Sequence, residues 1–178
     1  MTLLYRKLKI LYFSFVKSNN TIKMNLEEMS VLVENSLKKL NIDPVNSLRG
    51  EKPGQWSYKT KEGATMWIDV FNFPASPEKY YLQVMSPLSA IPDKNADAFY
   101  KDLLEINYKM YDVSMCKKEN WIYVLCLRDA AGIDEATLDT VLYRVSFYSH
   151  DYYGKLSFKY EGSWTPKTPE AKPGTSLN

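Results

Sequence analysis

The side chains able to do covalent or acid–base chemistry are few in this sequence. Its one histidine, His150, stands between Ser149 and Asp151. Successive residues on a helix point about 100° apart, so a Ser-His-Asp string on a helix cannot assemble a hydrolytic triad. We interpret His150 as a favourable cation near the C-terminal end of a helix, or as a plain surface side chain.

Two cysteines, Cys116 and Cys126, are too few for a disulfide framework, and the chain has no Cys-x-x-Cys pair. A zinc site would have to be built almost wholly from carboxylates, so we predict neither a metal nor a cofactor. The cysteines fall on the two strands of a predicted hairpin, which leaves a cross-strand disulfide geometrically open. We interpret them as buried free thiols in a reducing cytoplasm.

Acidic side chains lie on the predicted outer faces of two helices. They are Asp97, Asp102, Glu105, Asp134, Glu135 and Asp139. Paired carboxylates need a pocket and a raised pKa for acid–base work, whereas this pattern is typical of solvated faces. A small Asp- or Glu-dependent hydrolase is the enzyme alternative. Nothing places a nucleophile beside a base, so we predict that the chain is not an enzyme.

Length and composition indicate one globular domain. The 178 residues are 45% hydrophobic and 25% charged, which supplies a core and excludes the disordered and collagen-like classes. Residues 1–23 carry five Lys or Arg and no acid, which leaves 18 basic and 21 acidic side chains in the rest. A mildly acidic body lacks the basic face that sequence-independent nucleic-acid binding needs, so we predict no nucleic-acid partner.

The sequence divides into a basic leader (1–23), a domain (24–160) and a polar tail (161–178) that we expect to be flexible. The leader has three interpretations: residues upstream of a native start at Met24, a membrane-surface segment, or a signal peptide without a small-x-small cleavage site. Its apolar run at 10–16 is too short to cross a bilayer, which needs about 20 residues. Membrane contact is expected only if the leader is native.

Hydrophobic spacing predicts the elements of the domain. Leu26, Met29, Val33, Leu37 and Leu40 repeat at helical spacing, with Asn25 as cap and Asp43-Pro44 as stop. The helices are predicted at 25–42, 95–111 and 133–152, and the strands at 55–60, 64–73, 79–85, 113–116 and 121–127. The order α-β-β-β-α-β-β-α predicts an α+β fold, with helices packed on a largely antiparallel sheet.

One stretch of this pattern resembles the YbjN family, whose fold is that of the type III secretion chaperones (Tir chaperone-like). The residues that carry the resemblance are Ser86-Pro87-Leu88, Ile91-Pro92, Phe99-Tyr100 and Leu103-Leu104-Glu105-Ile106-Asn107. The resemblance covers about residues 25–155 and implies no catalytic activity. It implies a binding module: secretion chaperones are homodimers that wrap an effector segment around apolar grooves, and stand-alone YbjN proteins are loosely called regulators.

Three of these residues have expected structural roles. Ser86-Pro87 is predicted to set the turn into the loop after the third strand. Asn107, which lies with Leu104 beside the apolar stripe of its helix, is predicted to satisfy backbone groups at the helix end near Met110.

The aromatic residues suggest where a partner binds. Trp67 and Phe71 alternate onto one strand face with Asp69, and Tyr81 and Met85 follow on the adjoining strand. If helices cover the opposite face, this one is a partner surface or a dimer interface; the alternative is that a helix covers each side. We expect a cytoplasmic, chaperone- or adaptor-like protein-binding module that is a homodimer. The alternative is a structural or regulatory homodimer without a separate client.

Overall fold

The computed structural model describes residues 24–49 and 52–161, so the predicted leader and most of the predicted tail lie outside the described residues. The helices are α1 (Leu26–Lys39), α2 (Pro44–Ser47), α3 (Ala96–Asn107) and α4 (Glu135–Lys159). The strands are β1 (Gln55–Lys59), β2 (Thr65–Phe73), β3 (Ser76–Ala90), β4 (Ser114–Lys118) and β5 (Trp121–Asp129). The predicted α+β class is confirmed. None of the described helices is long and apolar enough to span a membrane.

Helix α1 begins at a reciprocal cap. The Glu28 amide donates to Asn25 Oδ1, and the Asn25 amide donates to Glu28 Oε2, both at 2.9 Å. The predicted stop at Asp43-Pro44 is wrong, because α1 already ends at Lys39. Asp43 instead caps α2, where Pro44 takes the first helical position, which requires no amide donor.

The five strands form one antiparallel sheet in the order β1-β2-β3-β5-β4. β3 lies at its centre and is longer than predicted, because Pro87 does not end it. The ladder with β5 shifts register between Pro87 and Ser89 and then continues to Ala90. Proline cannot donate to a ladder, so the strand accommodates it with an irregularity rather than a break.

One face of the sheet, which we call the first face, carries the main core. Its strand residues include Met66, Ile68, Leu82, Val84, Ile122 and Val124, all 1% exposed or less. Side chains of α1, α3 and α4 complete the same cluster, among them Met29, Leu37, Phe99, Leu138 and Val145. The three long helices therefore bury their apolar residues in one core with the first face.

Helix α4 runs seven residues further than the predicted end at 152. Leu156 and Tyr160 at its C-terminal end are buried, and the Tyr160 ring meets the Phe99 ring edge-on at 5.0 Å. This packing extends the helix through a stretch whose sequence looks polar. His150 lies nine residues before the last helical residue and is exposed, so it is a surface side chain and not a cation at the helix end.

Several acids that were predicted to be solvated connect helices instead. Ser36 of α1 donates to Asp139 of α4 at 2.7 Å, and Lys39 pairs with Asp139 and Glu135. Asp102 of α3 accepts from the Tyr160 hydroxyl and the Lys159 ammonium, each at 2.6 Å. These contacts fix α1 and α3 against opposite ends of α4.

Asn107 joins α3 to β4. Its Oδ1 accepts from the Met115 amide at 2.6 Å, and its Nδ2 donates to the Met115 carbonyl at 3.2 Å. The backbone partner is therefore the start of β4, and not the helix end near Met110. Leu104, one turn earlier, is 70% exposed.

We predict that Asn107→Ala lowers the free energy of unfolding by about 1–3 kcal/mol, since two backbone groups of Met115 lose their partner. Urea unfolding followed by circular dichroism measures the change. The matched control is Lys109→Ala, an exposed change just beyond the same helix. Equal stability of the two variants would contradict the joining role of Asn107.

The Asp102 contact predicts a pH dependence. Partial burial raises the pKa of Asp102, but hydrogen bonds from Lys159 and Tyr160 outweigh it, so the pKa lies below its usual value. Stability from such a group is present above the unfolded-state pKa and is lost as the pH falls through the folded-state pKa. Asp102→Asn should therefore destabilise the protein at pH 7 and lose this effect in strong acid, as measured by thermal unfolding from pH 7 to 2. A stability difference independent of pH would contradict this.

Candidate functional site

The opposite side of the sheet, the second face, carries the residues predicted to form a partner surface. Trp67 is opposite Met85 and Phe71 is opposite Tyr81 in the β2–β3 ladder, so all four share one face as the alternation predicts. Asp69 and Gln83 are opposite each other between these pairs. The second face thus has an aromatic end, a polar middle and an apolar far end.

The aromatic patch consists of Phe71, Phe73 and Tyr81. Phe73 meets Phe71 edge-on at 5.2 Å and Tyr81 at 4.9 Å, while Phe71 and Tyr81 are 6.1 Å apart. All three rings are partly exposed. Aromatic side chains bury large areas on contact, so this patch is suited to receive an apolar group.

The polar network consists of Arg49, Asp69 and Gln83. Arg49 pairs with the Asp69 carboxylate, and the two side chains are only 11% and 3% exposed. Gln83 Nε2 donates to the second Asp69 oxygen at 3.1 Å. The Arg49 guanidinium also lies 5.3 Å from the centre of the Trp67 ring. Sequence reasoning missed Arg49, because it lies in a loop 20 residues before its partner.

The second-face cluster consists of Trp67, Met85 and Tyr123, which are 5%, 7% and 6% exposed. The Trp67 and Tyr123 rings are 6.0 Å apart. Two of the four predicted surface residues, Trp67 and Met85, are therefore buried, whereas Phe71 and Tyr81 are partly exposed. Tyr123 was missed, although its alternation within β5 signals its face.

The two cysteines lie on opposite faces of the sheet. Cys116 packs against the second-face cluster, and Cys126 belongs to the first-face core. Both are free, and the disulfide that the sequence left open does not form. Burial raises the pKa of Cys116, and it raises the pKa of Cys126 to about 11, so neither thiol is activated as a nucleophile.

Ser86 and Pro87 lie within β3, so the prediction that they set a turn is wrong. Ser86 is fully buried on the first face, and its hydroxyl lies 2.8 Å from that of Ser149 on α4. Pro87 is opposite Tyr123 at the register shift. Ser86 thus helps to position the sheet against α4.

A groove of about 610 Å³ lies between the end of α1, the β1–β2 turn and the middle of α4. Tyr143 and Phe147 stack at 5.8 Å along its α4 wall and are 66% and 48% exposed. His150 also lines the groove. Within residues 24–49 and 52–161, no three His, Cys, Asp or Glu side chains are arranged to hold a metal ion. The groove offers apolar contact rather than a reactive centre.

The buried Arg49–Asp69 ion pair predicts that one nearly isosteric substitution causes a large loss of stability. Asp69→Asn leaves the Arg49 charge buried without its counterion, so the free energy of unfolding should fall by about 3–5 kcal/mol in urea unfolding. Asp151→Asn, which breaks an exposed pair with Lys155, is the matched control and should cost about 0–1 kcal/mol. Equal losses in the two variants would show that the Arg49–Asp69 pair is not effectively buried.

Comparison with known proteins supplies the fold but no family. No protein-family model matches the chain, and no curated protein matches its sequence. Among solved structures, the ExsC–ExsE complex matches with a TM-score of 0.55 and 11% identity over 72% of this chain and 92% of the other.

Two further structures give the same result. The HopA1–SchA chaperone–effector complex matches with a TM-score of 0.52 and 11% identity, covering 71% of this chain and 93% of the other. The ExoU–SpcU heterodimer of the Pseudomonas aeruginosa type III secretion system matches with a TM-score of 0.51 and 11% identity, covering 72% of this chain and 98% of the other. The described domain therefore has a secretion-chaperone-like fold.

Proposed function

We propose that this chain is a non-catalytic, chaperone-like module that binds an apolar segment of a protein partner on the second face of its sheet. The observation that carries the proposal is the partly exposed aromatic patch on a secretion-chaperone-like fold. Phe71 and Tyr81 are the accessible anchors, and Trp67 and Met85 form the packed floor beside them.

The structural matches support the proposed role. One of them is a chaperone bound to its effector, and another is a heterodimer from a secretion system. An extended segment or an amphipathic helix is the form in which such partners meet a sheet or a groove. The YbjN resemblance and a cytoplasmic location are part of the same proposal.

The chemistry of the described residues supports a binding role over catalysis. The pKa values of both thiols are raised by burial, and the second face pairs its carboxylate with an arginine rather than with a nucleophile. A thiol whose pKa is raised and a carboxylate held in an ion pair are poor catalytic groups. The second face is thus better suited to contact than to turnover.

A homodimer without a separate client is the second candidate. It is favoured by an exposed apolar strip at the C-terminal end of α3, away from the second face. Leu104, Tyr108 and Tyr111 are 70%, 92% and 69% exposed there. A strip of this kind is typical of an interface between protein chains.

The test begins with capture of the partner by the tagged full chain from host lysate, followed by mass spectrometry. Titration calorimetry with the purified partner then compares variants. Truncating two aromatic anchors removes at least about 2 kcal/mol of binding free energy, so Phe71→Ala/Tyr81→Ala should weaken Kd by about 30-fold or more.

The matched control is Tyr108→Ala, which removes an exposed aromatic ring outside the second face and should leave Kd unchanged. Unchanged affinity in the double variant would place the partner elsewhere. Light scattering of the eluate tests the second candidate. If the eluate is a dimer with no partner attached, and Leu104→Asp converts it to a monomer, then the chain self-associates through α3 instead of binding a client.

A further inference from the structure

The outer edge of β4 is a place where a further strand would pair with the sheet, and alternation decides which backbone groups face it. Just beyond β5, the Ala130 amide donates to the Tyr80 carbonyl of β3 at 2.9 Å. The even-numbered residues of β5 therefore bond to β3, and the odd-numbered ones bond to β4. The β4 residues opposite those odd-numbered residues are Ser114, Cys116 and Lys118. The amides and carbonyls of Met115 and Lys117 thus point outward, toward the edge.

Asn107, the last residue of α3, takes both outward groups of Met115. Its Oδ1 accepts from the Met115 amide at 2.6 Å, and its Nδ2 donates to the Met115 carbonyl at 3.2 Å. A carboxamide presents an acceptor and a donor side by side, as a residue of a neighbouring strand does. Asn107 therefore stands where one residue of a further strand would bond. We propose that Asn107 closes the β4 edge against strand addition by a second copy of this chain.

The opposite edge of the sheet is closed by backbone instead of by a side chain. Leu48 forms a bridge with Trp56 of β1, and the Arg49 amide donates to the Gln55 carbonyl at 2.9 Å. A loop of the chain thus lies where a further strand would lie beside β1. Unpaired edges are templates for pairing with other chains, so both edges are blocked against the same event. At β4 the block is one side chain, and one substitution removes it.

A second copy fits the opened edge because Met115 and Lys117 are placed symmetrically about Cys116. Two β4 strands that run antiparallel about Cys116 bring Met115 of each copy opposite Lys117 of the other, and each such pair can exchange both hydrogen bonds. The contact uses the same surface on both copies, so it closes after two chains. Lys117 is exposed, and its charge opposes the approach of an identical strand. The lysine is thus a second and weaker barrier at the same edge.

Light scattering of the full chain over a concentration series tests the closure, and it needs no partner protein, so it does not depend on the proposed function. Asn107→Ala should raise the association constant by about tenfold or more over that of the native chain, because each copy gains backbone hydrogen bonds at the edge. The matched control is Ser36→Ala, which also loses a hydrogen bond, to Asp139 on α4, but does not touch β4. It should leave association unchanged. Equal association of the two variants would overturn the proposal.

Two substitutions of Lys117 in the Asn107→Ala background identify the edge as the contact. Lys117→Pro removes the outward amide without breaking the ladder with β5, so it should restore the association constant of the native chain. Lys117→Ala keeps that amide and removes the charge, so it should strengthen association further. Association that survives Lys117→Pro would assign the contact to the exposed strip of α3 and overturn the proposal.

Amide hydrogen exchange of the native chain, followed by NMR, decides the case in which Asn107→Ala unfolds the protein. The Met115 amide should exchange about a hundredfold more slowly than the Lys117 amide, because both point outward and Asn107 accepts from the first. Equal exchange of the two amides would overturn the proposal. In a folded Asn107→Ala chain, Met115 should exchange fast when dilute, and both amides should slow as concentration rises. Exchange that is independent of concentration in a variant that does associate would place the contact away from β4.

Discussion

The register of β3 is the constraint on which the rest of the structure depends. This strand is hydrogen-bonded along both edges, and its residues 82–86 are buried on both faces in succession. A slip by one residue would turn Leu82 and Val84 away from the core and place Gln83 in it. Both apolar residues are fully buried, so the first face holds the register and thereby decides which side chains form the second.

The polar network adds specificity to that register rather than much net stability. A buried ion pair adds little stability compared with apolar residues of the same shape, because the cost of desolvating the two charges offsets their attraction. Its geometry is selective, however. Gln83 reaches Asp69 across the ladder only when the two residues are directly opposite, and Arg49 reaches Asp69 only when the loop before β1 crosses the same face. The network also lies between the aromatic patch and the second-face cluster along β2 and β3.

Local periodicity was enough to predict most elements, because each apolar stripe repeats within its own segment. It failed where distant contacts decide the outcome: α4 continues because Tyr160 packs on Phe99, and β3 continues through Pro87 because its ladder with β5 resumes beyond the register shift. The second face shows the same contrast between what local sequence predicts and what distant contacts decide. Alternation placed its side chains correctly, but burial of Trp67 and pairing with Arg49 depend on segments far away in sequence.

The core of the described chain is divided unequally between the two faces of the sheet. The buried apolar side chains of α1, α3 and α4 all belong to the first-face core, whereas the second-face cluster is built from strand residues. The aromatic patch on the second face is preorganised for contact with a partner. Its three rings already pack against one another, with Phe73 edge-on to both neighbours. Rings held in this way lose less side-chain entropy when a partner covers them, so more of the burial free energy is available for binding.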